Sequence, residues 1–355
     1  MFIIFAINST RKMELKNTDI INNPIIFGTS ALGNLYSELD EITKTEIIKE
    51  CFTYSPKPVI FDCAGKYGAG LALEMLGKCL TNLNIAPEDV IISNKLGWYR
   101  VPLVSSEPTF EKGVWINIKN DAVQCISYDG ILKCWEQGNN LLGKYIPQLV
   151  SVHDPDEYLA ASDSIEERKK RFNDILDAYK ALEELKALGK VKAIGIGSKD
   201  WCIIKELEKY VNFDWVMFAN SYTIYSHPAE LYEFMQTLSN KGVSIINSAV
   251  FHSGFLTGSN YFDYQLINPS ETKYHNTYKW RNGFFDLCKK FDIAPAHVCV
   301  HYARSAKGVA SIALNTSNPK RVKENIEMVQ KPVPIEFYIE MKNLGLLDKL
   351  PDNVN

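Results

Sequence analysis

Short apolar and β-branched runs recur eight times along this chain: Ile25 to Thr29, Val59 to Asp62, Val90 to Ser93, Gln148 to His153, Ala193 to Gly197, Trp215 to Ala219, Ser244 to Ser248, and Val309 to Leu314. Each is brief, almost continuously apolar and bounded by polar or turn residues, which predicts a strand buried on both faces. The stretches between them follow a helical period. In the clearest, Phe172, Ile175, Leu176, Tyr179, Leu182 and Leu185 share one face, and Gly189 supplies a left-handed end cap. The last helix is predicted to open at Asn318-Pro319, a capping residue followed by proline at the first helical position, and to bury Val322, Ile326 and Val329.

Strand and helix alternating eight times predicts an α/β fold with parallel strands, closed as a (β/α)8 TIM barrel in a single domain; an open doubly wound sheet has the same periodicity. Two connections are too long for simple turns, Gly97 to Lys119 after the third strand and Phe251 to about Thr272 after the seventh. Both leave the C-terminal ends of strands, where a barrel enzyme carries its substrate loops. The domain is expected over residues 23–355, with 1–22 as an N-terminal extension in which Met13 is an alternative start. Met1 to Asn8 is apolar but too short to span a bilayer, and Arg11 and Lys12 follow the apolar run instead of preceding it, which argues against a signal peptide.

Composition narrows the function classes. A 46% hydrophobic and 23% charged chain is ordinary for a globular protein. The net charge of −3 is spread with lysines and glutamates interleaved, as from Glu166 to Lys186, so no basic stripe offers a footprint for nucleic acid. The eight cysteines are scattered without C-x-x-C pairs and read as reduced thiols of a cytoplasmic protein. His297 and His301 stand at i, i+4, but the glutamate of a zincin helix is missing and Cys299 points to another face, so no metal site is expected. Gly195-Ile-Gly197 imitates the start of a dinucleotide fingerprint, yet position 200 is Asp where the third glycine belongs, and the segment reads better as a barrel strand.

In a barrel of this kind, polar residues at strand C-termini are the candidates for chemistry: Asp62, Lys95, His153, Ser198, Asn220, Ser248 and Asn315. Burying a lysine, a carboxylate and a histidine unpaired costs several kcal/mol each, so on this ground they are expected to form one site. Tyr67 lies five residues beyond Asp62 in a glycine-rich segment that lets its ring turn over the barrel mouth. Alone it would be an ordinary loop tyrosine, and Asp62 with Lys95 an ordinary ion pair. Together, an ammonium that lowers the phenol and a carboxylate that holds the ammonium make a tunable proton donor and acceptor, with His153 placed to orient the reacting oxygen. The set lacks a hydride source, so a redox enzyme built on it needs a bound cofactor.

The segments Phe61-Asp-Cys-Ala-Gly-Lys-Tyr-Gly68, Ser93-Asn-Lys-Leu96, Val152-His-Asp-Pro155, Gly195-Ile-Gly-Ser198, Ser253-Gly-Phe-Leu-Thr-Gly258 and Arg321-Val-Lys-Glu-Asn325 resemble the aldo-keto reductase family from about Phe27 to Val329. The resemblance implies a catalytic tetrad of Asp62, Tyr67, Lys95 and His153 and a nicotinamide-binding pair at Ser198 and Asn220. It places pyrophosphate contacts at Ser248 and the loop toward Leu256, and adenosine contacts at Thr316, Arg321, Glu324 and Asn325. Two departures stand out. Asn247 replaces an aromatic residue that stacks on nicotinamide in many members, and Asn315 replaces a lysine that often meets the adenosine 2′-phosphate, which favours NAD over NADP. Within the family, Asn247-Ser-Ala-Val-Phe-His252 and Ser30-Ala-Leu-Gly33 are most similar to aldose 1-dehydrogenases. That implies oxidation of a fucose-, arabinose- or galactose-like sugar to a lactone, with Trp98, Tyr99, Trp115, Phe251 and His252 as substrate contacts. The alternatives are an NADPH-dependent aldehyde or ketone reductase and a cofactor-binding regulatory relative with little turnover.

Overall fold

A computed structural model describes residues 21–263 and 265–352. Eight parallel strands close into a barrel: Ile25–Gly28, Val59–Ala64, Val90–Leu96, Leu149–His153, Ala193–Ser198, Trp215–Ala219, Ser244–Ser248 and Val309–Asn315. Each of the eight predicted runs falls on one of them. The first strand pairs with both the second and the eighth, Gly28 lying opposite Asp62 on one side and Asn315 on the other, which decides for the closed barrel over the open sheet.

Side chains alternate between two environments. Ile26, Ile60, Leu149, Ala193, Trp215, Met217 and Ile246 fill the barrel interior, while their neighbours Ile25, Phe61 and Ile245 pack outward against the helices. Ile21 is 3% exposed and joins the interior cluster, so the packed core includes a residue ahead of the boundary expected at residue 23. The rest of the expected N-terminal extension, residues 1–20, lies outside the described residues.

Gly195 belongs to the fifth barrel strand, and its reason is steric: a Cβ there would stand 2.1 Å from Trp215 Cδ2 and 2.5 Å from the Trp215 carbonyl. Because that carbonyl is part of the next strand and cannot yield, Gly195→Ala is expected to destabilise by about 1–3 kcal/mol, as overpacked cores do. The drop would appear in the urea midpoint; an unchanged midpoint would mean that Trp215 has room to move.

Local capping follows the sequence closely. The helix Ile165–Ala187 buries Ile175, Tyr179, Leu182 and Leu185, and Gly189, with φ 68°, donates back to the Lys186 carbonyl. The helix Lys320–Gln330 buries Val322, Ile326 and Val329, with Asn318 Oδ1 accepting the Lys320 amide. Among the described residues no helix is long and apolar enough to cross a membrane.

Both long connections carry structure of their own. In the first, Trp98–Pro102 pairs antiparallel with Asn120–Gln124, and the chain between them folds over the barrel mouth. In the second, the short turn Phe255–Thr257 precedes a small ribbon of Tyr261–Phe262 against Gln265–Leu266. His297 and His301, on the helix Pro295–Ser305, are used structurally: Nε2 of the first meets the Lys331 carbonyl at 2.9 Å and Nδ1 of the second meets the Tyr338 hydroxyl at 2.8 Å.

Candidate active site

The C-terminal ends of the barrel strands open into a cavity of about 740 Å³. Asp62, Lys95 and His153 project into it from the second, third and fourth strands, and Tyr67 turns in from the loop after the second. That loop is tight because Gly68, with φ 60°, comes so close to Gly33 that a Cβ would lie 2.4 Å from the Gly33 carbonyl oxygen. The close approach fixes where the preceding tyrosine can point.

Lys95 forms a buried ion pair with Asp62, and its ammonium faces the Tyr67 ring 4.8 Å from the centroid. His153 meets the same ring edge-on, with centroids 5.6 Å apart, and Trp115 covers it from another side at 5.8 Å. Burial pushes the Tyr67 phenol above its ordinary pKa, further than the charge and hydrogen bond of Lys95 bring it down. This corrects the expectation that Lys95 leaves the phenol lowered: its sign is as expected, but desolvation is the larger effect. Burial also penalises the Lys95 ammonium, yet Asp62 and Tyr67 outweigh it and hold Lys95 protonated. His153, pulled down to about 3 mainly by burial, is neutral.

Of the other expected site residues, Ser198, Ser248, Asn315, Trp115 and Phe251 line the cavity. Asn220 sits just beyond the sixth strand in a left-handed conformation, φ 58°, with its Oδ1 buried and unpartnered. Asn315 donates to Ser30 Oγ at 2.8 Å. Arg321 and Glu324 are exposed on their helix, Asn325 is half-buried there, and Thr316 turns back to accept the Asn318 amide. Asn247 faces the helices and donates to the Tyr222 and Ala303 carbonyls, so this position does not line the cavity.

Four expected contacts lie elsewhere. His252 is 2% exposed and locked between Thr223 Oγ1 at 2.8 Å and Asp263 Oδ1 at 2.7 Å, so neither ring nitrogen is left for a substrate hydroxyl. Leu256 is fully buried in the outer core, with its amide bonded to the Phe251 carbonyl. Trp98 packs on Phe110 in a small core beneath the hairpin, and Tyr99 packs against the helix-side core.

The structure adds groups that sequence reading passed over. Lys66 is 4% exposed and reaches Glu111 at 2.8 Å, Asp154 at 3.1 Å and Glu157 at 3.1 Å, all four lining the cavity. Lys199 joins the same ring through Glu157. Tyr36 and Tyr261 stand at the rim. The signal for the first pair was adjacency: Lys66 directly precedes Tyr67, and Asp154 directly follows His153.

Comparison with known proteins bears on the family and the fold. Over 355 residues, 96% of this chain and 99% of that protein, the chain is 23% identical to a pyridoxal 4-dehydrogenase of Microbacterium luteolum. It is 23% identical over 335 residues, 90% of this chain and 93% of the other, to a D-threo-aldose 1-dehydrogenase of a Pseudomonas species. Its fold matches an aldo-keto reductase of Bacillus halodurans solved in holo form, with TM-score 0.63, 21% identity, and coverage of 94% and 93%. It also matches a glycerol dehydrogenase of Gluconobacter oxydans, with TM-score 0.65, 14% identity and the same coverage, 94% and 93%. The model of the aldo/keto reductase family matches residues 24–345. The chain therefore belongs to the aldo/keto reductase family, oxidoreductases that use NAD(P)(H) on small-molecule substrates.

Proposed function

We propose that this chain oxidises the anomeric carbon of a fucose-, arabinose- or galactose-like aldose to a lactone, with NAD favoured as cofactor and Tyr67 as the acid-base group. The observation that carries the reading is the convergence of Tyr67, the Lys95–Asp62 pair and neutral His153 in the wall of a cavity large enough for a sugar and a cofactor. The D-threo-aldose 1-dehydrogenase among the relatives supports the substrate class.

The residues present fit a nicotinamide dinucleotide. Ser198, Ala219, Ser248, Leu314 and Asn315 line the same cavity as the catalytic group. Asn220, which follows the lining residue Ala219, keeps a buried Oδ1 without a hydrogen-bond partner as an acceptor suited to a carboxamide, and Ser198, which lines the cavity while its hydroxyl donates to the Asp200 carbonyl, is assigned as the second member of the pair. The segment 249–254 curls through left-handed residues, Ala249 at φ 54°, His252 at 47°, Ser253 at 57° and Gly254 at 87°, and this irregular backbone lines the wall where a pyrophosphate would be held. Arg321, Glu324, Asn325 and Thr316 would meet the adenosine; with Asn315 in place of a lysine, Arg321 is the cation left for a 2′-phosphate.

When bound, the nicotinamide supplies the hydride acceptor. The chain's own groups handle the proton and the oxygen. Tyr67 takes the proton of the anomeric hydroxyl, Lys95 stabilises the phenolate that does so, and Asp62 holds Lys95 in place. His153 donates an N–H to the same oxygen. Trp115 and Phe251 offer apolar faces to the sugar ring.

One observation favours a second reading, reduction of an aldehyde with NADPH: a phenol raised by burial is a ready proton donor to a carbonyl. Absorbance at the reduced-nicotinamide band separates the two. With NAD or NADP and a panel of aldoses including fucose, arabinose and galactose, growth of the band with NAD and at least one sugar is expected. Silence with every sugar, together with consumption of NADPH by simple aldehydes, would replace the dehydrogenase reading with the reductase one.

A further inference from the structure

We propose that Asp154 binds substrate directly, accepting a hydroxyl on the carbon next to the reacting one, and so selects α-hydroxy aldehydes and their cyclic hemiacetals over simple aldehydes. The proposal deepens the dehydrogenase reading and rests on it.

The backbone supplies the first argument. Asp154 adopts φ 47°, ψ 56° and is followed by Pro155. A non-glycine residue there is uncommon, a following proline steers its predecessor toward extended conformations, and such strain collects at functional sites. At this position the turn leaves the carboxylate in the cavity wall immediately after the catalytic-site histidine.

Distance supplies the second. Asp154 Oδ2 lies 3.4 Å from His153 Nε2, outside the usual 2.7–3.2 Å range of an N–H···O bond. The carboxylate is near enough to favour the tautomer with its proton on Nε2, yet it does not consume that proton. Side by side the chain therefore offers a donor for the reacting oxygen, on His153, and an acceptor for the neighbouring oxygen, on Asp154. A substrate with adjacent hydroxyl groups uses both. A simple aldehyde uses one and leaves the carboxylate unanswered, which is how sites built around a hydroxyl reject analogues that lack it.

Charge supplies the third. The buried Lys66 ammonium, 3.1 Å from Oδ2, tethers the carboxylate from a second direction. Burial would raise the Asp154 carboxyl, but His153, Lys66 and Lys199 together hold it below the ordinary carboxylate range, so it is an acceptor throughout the neutral range. Glu111 and Glu157 share Lys66, which joins this acceptor to the hairpin loop and to the helix Pro155–Ala160.

The test compares kcat/KM for an aldose and its 2-deoxy form, for example galactose and 2-deoxygalactose, in the wild type and in Asp154→Gly and Asp154→Asn. Glycine suits the left-handed backbone and asparagine tolerates it, so both variants should fold, which unfolding curves would check. The wild type is expected to prefer the parent sugar by about a hundredfold or more. In Asp154→Gly the preference should fall to near parity, and Asp154→Asn, which keeps an acceptor oxygen without the charge, should lie between. Preference retained in an active glycine variant overturns the role of Asp154 alone, as does an equal loss on both sugars, which would make the residue structural. No turnover of either sugar by the wild type overturns this proposal together with the dehydrogenase reading.

Discussion

Tyr67→Phe is expected to lower turnover by about a hundredfold or more, the usual contribution of a positioned acid-base group. Only a hydroxyl is removed: the ring keeps its contacts with Trp115 and His153, so unfolding should stay close to the wild type and the loss should fall on kcat. The pH profile gives the same assignment a second readout. Oxidation needs the phenolate, and burial sets the phenol above its ordinary value, so the oxidation rate should climb with pH throughout the neutral range without reaching a plateau there. Reduction needs the protonated phenol, which is already present, and should be flat over the same range. His153, titrating at about 3, adds no step. In Tyr67→Phe the slope should vanish along with the rate. Unchanged turnover in that variant, or an oxidation plateau already reached below neutrality, would end the assignment.

What sequence showed and what it hid divide along physical lines. The barrel strands were legible because each is a short run buried on both faces, and Gly189 and Asn318 marked helix ends through local conformation alone. The hairpin of Trp98–Pro102 with Asn120–Gln124 was not legible, because its pairing spans the whole substrate loop and one strand ends on a proline. His252 shows the same limit at side-chain scale. A histidine on a substrate loop reads as a ligand until the fold brings Thr223 and Asp263 to its two nitrogens, from 29 and 11 residues away.

Electrostatic balance was only half legible. That Lys95 lowers Tyr67 and that Asp62 holds Lys95 follow from residue type and spacing; that desolvation outweighs the lysine depends on how deeply the phenol sits. The ring of Lys66, Glu111, Asp154 and Glu157 draws on three βα loops, and only the closed barrel brings those together. Adjacency to Tyr67 and His153 was the one local sign of it.

The Lys95–Asp62 pair separates the stability of this site from its chemistry. Asp62 is 4% and Lys95 6% exposed, and Asp62 Oδ1 has no partner, so the carboxylate depends heavily on the ammonium. Lys95→Met leaves a buried charge uncompensated and should destabilise the protein by about 3–5 kcal/mol. Asp62→Asn combined with Lys95→Met removes both charges and should recover much of that loss in urea unfolding. Turnover should not recover, since the phenol then has no ammonium to set against its burial, and oxidation should stay low even at alkaline pH. A single variant as stable as the wild type would show that water or a rearrangement compensates Asp62. A double variant with normal turnover would remove Lys95 from the chemistry and leave the pair a structural element of the barrel.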